Sequence, residues 1–238
     1  MKSGVIITSA LNTKFGVYST EQRLEQTLAT IQSVKDRIPD AVIFLLEMAG
    51  EPLTEDQKNL LMSKVNHLID FTSDKNVVGL YNSTNNWDVV KNVTEVMCFR
   101  SALNTLKESG MANVLDRFFK VSGRYTLNDQ FDINYYDSYK IKPCIVVGKS
   151  RDSQFPFALT QVEKQYMSRL WSWPTALNDE IIDVYGNSLK FMYNRLADKG
   201  YADIEHCLYK FLDRDKVIEK DVLGIQGNLG PNGVAIND

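Results

Sequence analysis

The chain is short of the residues that metal centres and disulfide frameworks use. It has two histidines, His67 and His206, and three cysteines, Cys98, Cys144 and Cys207, among 238 residues. The cysteines are odd in number and far apart, and neither they nor the histidines have zinc-site spacing. They read as buried or inert thiols of a reducing compartment, so a cytoplasmic location is expected. No window is apolar for long enough to span a bilayer, and the opening MKSGVIITSALNTKF does not read as a signal peptide. A net charge of −3 with no long Lys/Arg run argues against nucleic acid as a partner. A local basic pocket for a phosphorylated small molecule is compatible with that balance. No Ser/His/Asp nucleophile arrangement is visible along the chain. The segment SALNTKFG offers Lys14 and Gly16 after the first strand, but not the glycine density of a phosphate-cradling loop.

What is there is an alternation of strands and helices. GVIITSA (residues 4–10) and AVIFLLE (residues 41–47) are apolar on both faces, as strands covered by helices on both sides must be. Between them Ser19 and Gln22 form a capping box, and Leu24, Leu28, Ile31, Val34 and Ile38 share one helical face, which Pro39 ends. A second capping box is expected at Thr54 and Gln57. A short strand follows near residues 68–71, then a loop over 72–88, a helix over about 88–107 and the strand FFKVS. This order predicts a three-layer α/β/α fold, with a mostly parallel sheet in residues 1–125 and a less regular half in residues 126–238. No linker divides the two, so residues 1–238 are read as a single domain. The second half carries a strand over 143–150, an aromatic-rich strand over 166–173, a helix over about 176–197 and the helix DIEHCLYKFL. The tail VLGIQGNLGPNG shows no helical or strand period beyond its first residues. Trp171, Trp173, Tyr166 and Tyr185 read mainly as core.

Ligands of such sheets collect at the carboxyl ends of the strands. Ser9, Glu47 and Ser122-Gly123-Arg124 all stand there. Glu47 ends a buried strand, either as a ligand acceptor or as a plain polar terminus. Arg124 offers a planar fork for phosphate oxygens, beside a glycine that permits close backbone approach. The alternative for Arg124 is an ion pair with Asp129 or Asp132 that fixes the turn. Arg23 sits in the first turn of a helix, where a cation opposes the macrodipole unless it reaches an anion.

STEQRLEQTLATIQSVKDRIPDAVIFLLE, KNVTEVMCFRSALNTL and FFKVSGRYTL, followed by DIEHCLYKFL and LGIQGNLGPNG, resemble small viral and bacterial glycosyltransferase-like proteins of the GT-A type. The resemblance runs over most of the chain, with Lys120-Val121-Ser122-Gly123-Arg124-Tyr125 as its best marker. It implies a GT-A-like nucleotide-binding fold. A UDP- or GDP-linked sugar would lie at the strand rim, and a glycan or other hydroxyl acceptor would lie in the second half. Donor binding would fall to Ser9, Asn12, Arg23, Glu47, Lys91, Lys120, Ser122, Gly123, Arg124 and Tyr125. Arg124 would stabilise the leaving diphosphate and Glu205 would act as acceptor base, beside Asp203 as helix cap.

Most members of that fold carry Asp-x-Asp, whose carboxylates hold Mn or Mg on the diphosphate. Here Ser122-Gly123-Arg124 occupies that position. The only literal Asp-x-Asp, Asp213-Arg214-Asp215, reads as a surface turn. Metal dependence is therefore open, with Asp129, Asp132 and His206 as the candidate ligands. Two other classes remain: an inactive sugar- or nucleotide-binding module, and a sugar-phosphate nucleotidyltransferase.

Overall fold

A computed structural model describes residues 1–228 and 233–238. The first half runs β1 (Ser3–Ser9), α1 (Thr20–Arg37), β2 (Val42–Glu47), α2 (Glu55–Met62), β3 (His67–Asp70), α3 (Lys75–Ser83), α4 (Trp87–Glu108), β4 (Arg117–Ser122) and β5 (Tyr125–Leu127). The second half runs α5 (Ile133–Asp137), β6 (Ile145–Gly148), β7 (Arg151–Asp152), α6 (Phe157–Thr160), β8 (Lys164–Gln165) and β9 (Leu170–Pro174). It continues with α7 (Asn178–Ala197), α8 (Ile204–Phe211), β10 (Val217–Lys220), β11 (Ile225–Asn228) and β12 (Ala235–Asn237).

Seven strands form one sheet in the order β10-β6-β9-β4-β1-β2-β3. All neighbours are parallel except β9, which runs antiparallel to both β4 and β6. The fold is thus α/β with a mostly parallel sheet flanked by helices, and both halves of the chain build that sheet. Alternation along the strands feeds two cores. Val5, Ile7, Leu45 and Phe119 pack against Ile31 and Val34 of α1 on one face. Ile6, Phe44, Phe118 and Trp173 pack with Phe99 of α4 and Tyr185 of α7 on the other. Each such side chain contributes about 1.5–3 kcal/mol by leaving water. Trp171, Trp173, Tyr166 and Tyr185 are all buried, as expected of core.

Both capping boxes form. Ser19 Oγ accepts from Gln22 N while the Gln22 side chain accepts from Ser19 N, and Thr54 and Gln57 repeat the pattern. The buried guanidinium of Arg117 donates to the carbonyls of Ile141, Lys142 and Cys144 and to Ser172 Oγ, fastening the turn before β6 to β4 and β9.

Three expectations need correction. Residues 72–88 are not a continuous loop, because Asp74 caps α3 and Val77 and Tyr81 are buried from it. The 166–173 strand begins only at Leu170. The glycine-rich tail pairs as β11 and β12, and β11 also pairs with β5 in a separate three-stranded antiparallel sheet. Leu229 to Asn232 of the LGIQGNLGPNG segment lie outside the described residues. Among the described residues no helix is long and apolar enough to cross a membrane.

Candidate functional site

At the carboxyl ends of β1 and β4 a cavity of about 790 Å³ opens between the loop after β1, the first half of α4 and the start of α8. Ser9 pairs in register with Glu47, and Thr8 with Ser122, so the expected rim exists. Ser9, Arg23, Lys91, Ser122, Arg124, Tyr125 and Glu205 all line the cavity. Five segments separated in sequence therefore converge on it.

Arg124 has no salt bridge among the described residues. Asp129 pairs instead with Arg37, and Asp132 caps α5 by accepting from Asn134 N. The turn-fixing alternative for Arg124 is thereby removed. Its Nε is buried without a partner, and its guanidinium lies 5.9 Å from the centre of the Tyr125 ring. Arg169 covers the same ring at 5.7 Å, with its own charge matched by Asp238. Arg23 is nearly buried and donates to Phe15 O at 2.6 Å and Tyr18 O at 3.2 Å, which shapes the loop above the cavity. Burial first, and then the Arg124 charge, pull the Arg23 pKa below its ordinary value. Two guanidiniums on one wall with no bonded carboxylate make a place for an anion.

Four of the expected ligand-binding residues serve the fold. Lys120 is fully buried and holds Glu95 at 2.7 Å, Ser122 Oγ at 2.7 Å and Ser168 O at 2.8 Å. Gly123 packs on β1, where an added Cβ would stand 2.9 Å from Thr8 O, so its missing side chain admits a strand rather than a ligand. Asn12 exchanges hydrogen bonds with Gln57 and donates to Pro52 O, tying the loop after β1 to α2. Glu47 is sealed beneath the rim. Its Oε1 accepts from Leu11 N at 2.9 Å and Ala49 N at 3.1 Å, and burial pushes its pKa up to about 7.

The opposite wall is acidic. Asp203 caps α8 by accepting from His206 N at 3.0 Å, as expected, and this leaves Glu205 in the first turn. Glu205 Oε1 accepts from Ser168 Oγ at 2.6 Å. Burial and then the Asp203 charge raise the Glu205 pKa, against the opposing pull of Lys91 and Ser168. Asp88 joins them from α4, its pKa also raised by burial and Asp203 and lowered by Lys91. Lys91 Nζ lies 5.8 Å from the Trp87 ring centre. Asp88, Asn92 and Trp87 were not singled out from the sequence. The signal was there as one face of α4 carrying Asp88, Lys91, Asn92 and Glu95 at helical spacing.

His206 is fully buried between Asp203, 2.5 Å from Nδ1, and Ser153 Oγ, 2.8 Å from Nε2. Asp203 and His206 share the start of α8, and Ser153 reaches them from a distant segment, so a Ser/His/Asp line exists that the sequence did not show, but it is not a nucleophile arrangement. The serine is engaged elsewhere: Phe155 N donates to its Oγ, which also stands 2.8 Å from Phe155 O. The chain ties the Gln154-Phe155 wall to the start of α8. Asp129, Asp132 and His206 are thus each engaged separately. Among the described residues no group of three His, Cys, Asp or Glu side chains could hold a metal ion. The described residues therefore build no cation site of three such ligands. Asp213-Arg214-Asp215 is a surface turn in which Asp213 caps a short 3-10 segment.

No protein-family model matches the chain, and no curated protein matches it either.

Proposed function

We propose that the protein is a GT-A-like glycosyltransferase that moves a sugar from a nucleoside-diphosphate donor to a hydroxyl acceptor. The observation that carries this reading is Arg124, without an ion pair among the described residues, lining one cavity at the strand rim together with Arg23 and Glu205. Transfer needs positive charge where the diphosphate departs and a base where the acceptor loses its proton. In this reading Arg124 and Arg23 take the diphosphate, and the loop bearing Phe15 takes the base against Tyr81, whose ring lies 5.9 Å away. Lys91 bridges toward the acidic wall, and Glu205 accepts the acceptor proton. Its raised pKa suits that task, because a base with a pKa nearer the working pH takes up a proton more readily than an ordinary carboxylate.

The test is calorimetry with UDP and GDP, followed by transfer assays with the corresponding nucleotide sugars, with and without EDTA. Binding of one nucleotide with transfer supports the enzyme. Binding without transfer or donor hydrolysis supports an inactive module. No binding of either nucleotide at millimolar concentration refutes both.

A further inference from the structure

Resting on the glycosyltransferase reading, we propose that the acidic end of the cavity is an acceptor subsite for an uncharged, polyhydroxylated sugar and that it rejects carboxylated sugars. The first observation is that this end is rich in hydrogen-bond acceptors. Asp88 from α4 and Asp203 and Glu205 at the start of α8 line it together. The nearby cation is Lys91, which makes no ion pair among the described residues.

The second observation is independent of the carboxylates. Asn92 lines the same end and is only 2% exposed. Its Nδ2 donates to Asp88 O at 2.9 Å and to Tyr201 OH at 3.0 Å. The Asp88 carbonyl can only accept, so that atom must be the amide nitrogen and the other must be oxygen. The oxygen has no partner. A buried acceptor without a donor is costly, and a small turn of the Asn92 side chain toward the cavity would let a ligand hydroxyl satisfy it. Carboxylates likewise take hydroxyl protons, often two from one ring. Trp87 and Phe155 line this end as well and supply flat apolar surface for the C–H face of a sugar ring.

A sugar carboxylate meets the opposite conditions. It brings acceptors to acceptors and a negative charge toward Asp88 and Asp203. Discrimination of this kind is built from repulsion against the wrong ligand as much as from attraction to the right one.

The experiment uses hexopyranosides and hexuronides that differ only at C6, titrated onto the full chain by ligand-observed NMR, with and without UDP or GDP. Neutral members are expected to bind about tenfold tighter or more than their uronide partners. Asp88→Lys is expected to abolish or invert that ratio, and Asp88→Asn to shrink it. If the Asp88 variants do not fold, Glu205→Gln read with the same matched pairs makes the same test. Uronides binding as well as neutral sugars, no binding of any neutral member, or a ratio indifferent to these charges would each overturn the inference. Nucleotide titration of the same samples separates the two readings. Sugar selectivity without nucleotide binding refutes the glycosyltransferase and leaves the subsite standing.

Discussion

Lys120 Nζ lies 2.7 Å from Glu95 Oε1, with the two side chains 0% and 9% exposed. The pair joins β4 to α4 directly under the cavity. Breaking a buried pair from one side leaves an uncompensated charge, so Lys120→Met is expected to cost about 3–5 kcal/mol of stability. Lys120→Met with Glu95→Leu should recover most of the loss. Thermal or denaturant unfolding of the single and double variants checks this. A single variant as stable as the parent would show that Lys120 is not committed to the fold.

Arg124 should behave in the opposite way. It has no carboxylate partner to abandon and stands beside another guanidinium, so Arg124→Ala is expected to leave the melting temperature unchanged or slightly raised. Nucleotide affinity or donor turnover should fall roughly ten- to a hundredfold, the worth of one charge-assisted contact. Lys91→Ala should cost less in donor turnover. A large fall in melting temperature for Arg124→Ala, with activity per folded molecule intact, would return the residue to a structural role.

Glu205→Gln keeps an oxygen for Ser168 Oγ and removes the basicity. Transfer is expected to fall by ~10²–10⁴-fold while nucleotide affinity survives. The parent's rate should rise with pH through a pKa above the ordinary carboxylate range, because the base must be ionised and burial with Asp203 delays ionisation. Asp203→Asn can still cap α8 and removes the like charge, so that limb should move to lower pH. Near-normal transfer by the Gln variant would end the assignment.

Glu47 gives a stability signature. Its pKa in the folded protein is about 7, against an ordinary value of 4.5. The native state therefore holds an extra proton between those values, and the sign follows: this group's contribution to stability is fully present below about pH 4.5 and is lost as pH rises through 7. At about 1.4 kcal/mol for each pH unit of that window, the loss is on the order of 3 kcal/mol. Unfolding curves across pH should show this component in the parent and lose it in Glu47→Gln. An identical pH slope in both would refute the buried titration.

Where a short-range rule applied, the sequence was readable. Ser19 with Gln22, Thr54 with Gln57 and Asp203 at the start of α8 are local patterns, and each formed as expected. The strand rim was readable for the same reason, since runs apolar on both faces imply covered parallel strands. The direction of β9 was not, because a buried strand has the same composition whichever way it runs. Residues whose role depends on a distant partner were the hardest to place. Lys120 looked like a ligand-binding cation until α4 supplied Glu95. Asn12 looked like a donor-binding residue until Gln57 engaged it. The Ser153–His206–Asp203 line is invisible in sequence because its outer members stand on different segments. Helix α3 escaped because it is only nine residues long with Gly79 in its interior, so the short Val77, Leu80 and Tyr81 face is framed by turn-forming residues.

The small sheet of β5, β11 and β12 ties the cavity's chemistry to the order in which the chain can fold. β5 begins immediately after Arg124, lies on α1, where Leu127 N donates to Ser33 Oγ, and finds its strand partner only in β11 near the end of the chain, with Asn128 bonded to Asn237 across 109 positions. Contacts closed over such spans form late, after the entropy of a long loop has been overcome. A nascent chain lacking residues 225–237 can complete β1, β2 and β4 but has no edge to hold β5. The apolar layers can thus assemble before β5 gains its strand pairing, so the Arg124–Tyr125 corner of the cavity is fastened from both sides only when the end of the chain arrives.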